Sequence, residues 1–141
     1  MFLPRPFNAA CLSALVGLAV AAFAPAASAE SWGLHIASKH IPAKRYNNSN
    51  PGAYYRSDEN WTIGAYHNSL RRNSVYAGYT LEHGRFGVTM GGVTGYDHAV
   101  QPLFVPTVSL FTVQGVTARI AFIPRVEKRI GSHVLHLMLE F

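Results

Sequence analysis

His133-Val134-Leu135-His136-Leu137-Met138-Leu139-Glu140-Phe141, the last residues of the chain, alternate with period two. Side chains on a strand point to opposite faces in turn, so Leu135, Leu137, Leu139 and Phe141 share one side and Val134, His136, Met138 and Glu140 the other. The first face is wholly apolar. The second carries an imidazole and a carboxylate. In a soluble sandwich this strand would leave a long apolar edge exposed, which native sheets avoid.

The segment before it repeats the pattern. Val116, Ala118, Ile120 and Phe122 lie on one face, and Thr117, Arg119 and Ala121 on the other. Against lipid near a bilayer midplane Arg119 would cost roughly 2–4 kcal/mol, so it is expected to point inward, where a buried charge needs a partner. Glu140 lies near the same end of the neighbouring strand, and an Arg119–Glu140 contact is expected. An apolar outer face, a polar inner face and a terminal Phe resemble the closing strand of bacterial outer-membrane barrels.

Upstream, strands read at about 32–40, 53–56, 61–67, 74–82, 86–95 and 103–113, which with 116–123 and the closing segment gives eight. The connections alternate long and short. Asn47-Asn48-Ser49-Asn50-Pro51-Gly52 carries strong turn chemistry in the first long one, and Ser57-Asp58-Glu59-Asn60, His83-Gly84-Arg85 and Gln114-Gly115 are the short ones. Long loops alternating with short turns are the pattern of an up-and-down membrane barrel. The fold class expected is all-β, an eight-stranded antiparallel transmembrane β-barrel, whose lumen is just wide enough for side chains or one slim ligand.

The start of the chain reads as a secretory signal over residues 1–29. Arg5 precedes an apolar run from Ala9 to Ala24, and Ala27-Ser28-Ala29 is a small-x-small cleavage site. Removing 29 of the 141 residues leaves 112, a single domain over 30–141. Cys11, the one Cys, would leave with the signal, so no disulfide would hold the mature fold. The remainder holds 11 Lys/Arg and 7 Asp/Glu (Arg5 of the 12 is lost), scattered through loops. That excludes the clustered stripe of a nucleic-acid binder and suits anionic lipid headgroups. No residue set calls for a metal or another cofactor, and a monomer is expected.

The polar loop His67-Asn68-Ser69-Leu70-Arg71-Arg72-Asn73 runs directly into the alternating aromatic stretch Ser74-Val75-Tyr76-Ala77-Gly78-Tyr79. It sets a hydroxyl, an imidazole and two guanidinium groups side by side, a set suited equally to acyl chemistry beside anionic groups and to a sugar- or phosphate-facing hairpin loop. Guanidinium binds phosphate bidentately, which makes Arg71 and Arg72 candidate phosphate ligands.

With these residues in view, the chain resembles the PagP-type lipid A palmitoyltransferases. The resemblance rests on Arg45-Tyr46-Asn47 in the first long loop and on Asn68-Ser69 with Ala77-Gly78-Tyr79 at matching spacing. It also rests on Pro102 and Pro106 with Ile123-Pro124, and on the closing Met138-to-Phe141 pattern, in order over about 30–141. It implies an outer-membrane enzyme that moves a palmitoyl chain from a phospholipid to lipid A, with lipopolysaccharide and phospholipid as partners. It also implies sideways lipid entry where prolines interrupt strand pairing; Pro102, Pro106 and Pro124 each lack an N–H for the ladder. Carried over by position, the family serine is Ser69 and the family histidine is His35 or His40, the first strand matching two ways. Arg45, Tyr46, Arg71 and Arg72 fall on the substrate side. The family aspartate position holds Asn68, and an amide neither accepts a proton nor supplies the charge that orients an imidazolium. A non-catalytic barrel of the same fold is therefore an alternative. A third is a deacylase. His67-x-Ser69 is similar to the active-site triplet of the outer-membrane lipid A 3-O-deacylases, and residues two apart share a strand face, so His67 is a candidate base for Ser69.

Overall fold

A computed structural model describes residues 29–125 and 131–141. All but the last residue of the expected signal lies outside these, as does the middle of the last long loop. The described chain forms eight strands: β1 (Ser31–Ile41), β2 (Ser49–Arg56), β3 (Trp61–His67), β4 (Asn73–His83), β5 (Phe86–Val93), β6 (Gln101–Val113), β7 (Val116–Ile123) and β8 (His133–Glu140). Each pairs antiparallel with its sequence neighbour, and β8 returns to β1 to close the barrel.

Closure is sealed at the short-turn end by a reciprocal pair: Trp32 N donates to Phe141 O at 2.9 Å and Phe141 N to Trp32 O at 2.8 Å. The terminal Phe thus completes a ladder that would otherwise leave an open edge. At the same end Gln114 and Gly115 have φ of 50° and 82°, the left-handed pair that a two-residue hairpin loop needs to match strand twist.

The alternation expected for β7 and β8 holds for Arg119 and Ala121, and for His136, Met138 and Glu140, which are buried, and for Phe122 and Leu135, which are exposed; Ala118, expected on the outer face, is buried instead. β2 departs from expectation. It begins at Ser49 rather than 53 and includes Pro51. Pairing of β2 with β3 starts only at Gly52, so Pro51 breaks no bond of that ladder, and the Asn50 side chain donates to His67 O at 2.9 Å where the ladder is unformed. A side-chain amide thus serves as the missing backbone donor.

A β-bulge interrupts β1 between His35 and Ala37, in its pairing with both β2 and β8. Period-two alternation would put His35 and Ser38 on opposite faces. The extra residue, Ile36, faces out and resets the phase, so that His35, Ser38 and His40 all line the lumen.

Candidate functional site

The lumen is filled from the short-turn end upward, and what remains is a cavity of about 180 Å³. Its floor is ionic. Arg56 Nη1 donates to Glu82 and Arg56 Nη2 to Glu140, both at 2.7 Å. Arg119 bonds Glu82 through Nη1 and lies 3.4 Å from Glu140 through Nη2. The Arg119–Glu140 contact expected from the alternation is therefore formed, within a neutral square of two guanidiniums and two carboxylates. Tyr54 OH donates to the other oxygen of Glu140 at 2.8 Å. A hydroxyl ladder runs beside the square, Thr62 to Thr80 at 2.7 Å and Thr80 to Thr89 at 2.9 Å.

Above the floor His35 sits among aromatic rings, its centroid 5.4 Å from that of Tyr54 and 5.1 Å from that of Tyr66. Its Nε2 is 3.0 Å from Tyr76 OH and its Nδ1 is 2.8 Å from His136 Nε2. His136 Nδ1 in turn lies 2.7 Å from Ser38 Oγ. This side of the lumen is polar. The apolar part of the lining comes from β6 to β8, Leu103, Val105, Ala121, Ile123, Val134 and Met138, and adjoins His136, which Val134 and Met138 flank on the same face of β8.

At the long-loop end the predicted residues separate. Ser69 lines the cavity together with Tyr96, which meets Tyr66 hydroxyl to hydroxyl at 2.8 Å. Burial holds the Tyr96 hydroxyl above its ordinary range, so it stays protonated. His40 is buried, 2.6 Å from Asn48 Oδ1, and its ring is tilted against that of Tyr46 with centroids 4.8 Å apart. Both candidate histidines thus face the lumen, His35 at its centre and His40 near its mouth.

Asn68 is fully buried and spends its side chain on the loop. Its Oδ1 accepts from Leu70 N at 2.9 Å and Arg72 N at 3.0 Å, and its Nδ2 donates to Ser74 Oγ at 2.9 Å and Gly95 O at 2.8 Å. Both ends of the amide are engaged, which makes it the keystone of the 68–72 turn. His67 is directed elsewhere than Ser69: its Nδ1 lies 3.2 Å from Asn73 Oδ1, across the first pair of the β3–β4 ladder. Arg71 is exposed at the tip of the turn with φ of 60°, Arg72 lies 3.4 Å from Tyr96 O, and Arg45 is exposed in the first long loop.

The prolines mark a discontinuity. β6 pairs with β5 along Gln101–Val108, Pro102 opposite Gly92 and Pro106 opposite Val88. Its pairing with β7 begins only at Thr107↔Ala121, and among the described residues no ladder pair joins 101–106 to β7. Pro124 directly follows the end of β7. The unpaired part of this seam borders Leu103, Val105 and Ile123 of the apolar wall.

Ser38, His136 and Tyr76 were not singled out from the sequence as site residues. The alternation of the closing strand does put His136 inward, but nothing in the residue pattern announces the bulge at Ile36 that turns Ser38 to meet it. Among the described residues no cluster of three or more His, Cys, Asp or Glu is arranged to hold a metal. No protein-family model, curated protein or solved structure matches the chain significantly.

Proposed function

We propose that the protein is an outer-membrane acyltransferase that moves a long acyl chain, palmitoyl by the resemblance, from a phospholipid to lipid A. The observation that carries this reading is the unpaired β6–β7 seam flanked by Pro102, Pro106 and Pro124, which borders a lumen whose lining combines apolar side chains with hydroxyls and imidazoles. A membrane lipid entering there would lay the ester end of its chain against Leu103, Val105 and Ile123, within the about 180 Å³ that the lumen leaves, with the rest of the chain still in the membrane, and bring its ester toward Ser69. A membrane setting is supported by the outward ring of exposed apolar residues, among them Leu34, Ile36, Ile63, Val75 and Phe104, with Trp32 and Trp61 near the short-turn end. Arg45, Arg71 and Arg72 stand exposed at the long-loop end, where the phosphates of lipid A would lie.

Asn68 favours a second reading, a non-catalytic barrel of the same shape. Its amide is saturated by the loop and contributes no base. Detergent-folded protein supplied with phospholipid carrying radiolabelled palmitate and with lipid A separates the two. Transfer of label that falls at least tenfold in Ser69→Ala supports the acyltransferase; absence of transfer by folded protein supports the barrel without chemistry.

A further inference from the structure

We propose that Ser38, with His136 as its base, forms a nucleophilic site inside the lumen that takes short-chain carboxylic esters. This goes beyond the lipid transfer above, which assigns its hydroxyl to Ser69, and it does not depend on that reading.

The bulge in β1 builds the site. By placing Ile36 outside the alternation, it brings Ser38 to the lumen face directly opposite His136 in the β1–β8 register. The hydroxyl and Nδ1 are then 2.7 Å apart. The Ser38 backbone N–H is already satisfied by Asn48 O at 2.8 Å, so its side chain is not needed to complete the ladder. Bulges recur beside active sites because they re-aim one side chain in this way.

The hydrogen count along the lumen fits the same pairing. His136 Nε2 and His35 Nδ1 are 2.8 Å apart and share one hydrogen, so the two rings are not both cationic. Along the chain from Ser38 through His136 and His35 to Tyr76, every junction then has one donor. It runs in either of two directions. In one, Tyr76 O–H donates to His35, His35 Nδ1–H to His136, and His136 Nδ1–H to Ser38. In the other, Ser38 O–H donates to a bare His136 Nδ1, His136 Nε2–H to His35, and His35 Nε2–H to Tyr76. The second is the arrangement of a nucleophile bonded to a base whose other nitrogen is held by a third group. His35 is the positioning residue. Its plane is fixed by the rings of Tyr54, Tyr66 and Tyr76, with centroids 5.4, 5.1 and 5.6 Å away.

Acylation needs only the ester, and deacylation a hydroxyl donor. Ser38 Oγ attacks the ester carbonyl carbon as its proton passes to His136 Nδ1. The C–O bond to the alcohol breaks, its electron pair stays on the alcohol oxygen, and that oxygen takes the proton back from His136. An acyl group remains on Ser38. Water or a sugar hydroxyl then attacks the acyl carbon, gives its proton to His136, and the proton returns to Ser38 as the acyl group leaves.

Size sets the substrate class. An apolar cavity of about 150 Å³ holds one benzene, and the lumen here offers about 180 Å³ beside Leu103, Val105 and Val134. That suits an acyl group of about six carbons.

The test uses full-length protein folded in detergent, an O-alkyl fluorophosphonate with a short alkyl chain, and peptide mass spectrometry of the wild type, so no variant has to fold for the site to be read. The expected adduct is on Ser38. In His136→Gln the inactivation rate constant is expected to fall by about 10²–10⁴-fold with the probe's binding constant unchanged. In His35→Asn the same rate constant falls without a change in binding, a split that a purely structural role would not produce. An adduct on Ser69 alone overturns the proposal and leaves the lipid reading standing. No adduct on protein that shows the heat-modifiable gel shift of a folded barrel also overturns it. Labelling of Ser38 in a protein that transfers no palmitate would retire the lipid reading and keep this one.

Discussion

Neutralising Glu140 is expected to be among the most damaging changes in the lumen. Its carboxylate accepts from Arg56 at 2.7 Å and Tyr54 at 2.8 Å and lies 3.4 Å from Arg119. Glu140→Gln keeps the shape and removes the charge, so two guanidiniums face only Glu82. Breaking a buried ion pair by removing one partner costs about 3–5 kcal/mol, because the charge left behind is uncompensated. Glu82 bonds both arginines, but its side chain is 22% exposed against 10% for Glu140. Water therefore offsets part of its loss, and Glu82→Gln is expected to cost less than Glu140→Gln. Removing a charge of each sign together, as Arg119→Met with Glu140→Met, restores neutrality around Arg56 and Glu82. The double variant is expected to show a favourable coupling of about 0.5–3 kcal/mol against the sum of the singles. Urea unfolding of the refolded barrel, followed by fluorescence of Trp32 and Trp61, measures all of these. A Glu140→Gln protein within about 1 kcal/mol of wild type, or a Glu82→Gln protein less stable than Glu140→Gln, would refute the reasoning.

Other consequences follow from single residues. Asn68→Asp keeps the two acceptor bonds to Leu70 N and Arg72 N but turns a carboxylate oxygen toward Gly95 O. It is expected to destabilise by about 1–3 kcal/mol, the penalty of an unsatisfied buried group, and not to raise transfer activity, as read by urea midpoint and radiolabel transfer side by side. Gly33 lies under the Tyr54 ring, and a Cβ there would stand 2.1 Å from Tyr54 Cζ. Gly33→Ala is expected to push Tyr54 off Glu140 at a cost of about 1–3 kcal/mol, seen as a lower temperature for loss of the folded gel mobility. His67→Ala is expected to leave Ser69 chemistry within about twofold of wild type, since His67 meets Asn73 across the β3–β4 ladder, far less than the 10²–10⁴ that loss of a general base costs. Transfer assays on the purified variant read this directly, and a loss of that size would bring the His67-x-Ser69 deacylase pairing back.

Much of the architecture was legible because a barrel strand writes its two faces into alternate residues. Alternation alone marks the closing segment and 116–123 as strands, and the Arg119–Glu140 contact follows from the rule that an inward charge needs a partner. β2 was read short because Asn47 to Gly52 has the chemistry of a turn. The local signal was real, but Asn50 replaces a backbone donor with its side chain and lets the strand start early. The site was less legible for a similar reason. Asn68 next to Ser69 suggests chemistry, yet the loop consumes the amide, and only contacts with Gly95, more than twenty residues on, reveal it. Ser38 is the converse. It is unremarkable in the sequence, because its lumen position depends on one extra residue in one strand, and alternation carries no mark of a bulge until both neighbouring strands are in place.

The most direct measurement is mass spectrometry of lipid A from cells producing the full chain, beside Ser69→Ala. The account predicts one added palmitoyl mass that disappears in the variant. Unchanged lipid A from cells whose outer membrane holds the folded barrel, or the loss of a hydroxyacyl mass in place of a gain, would contradict it.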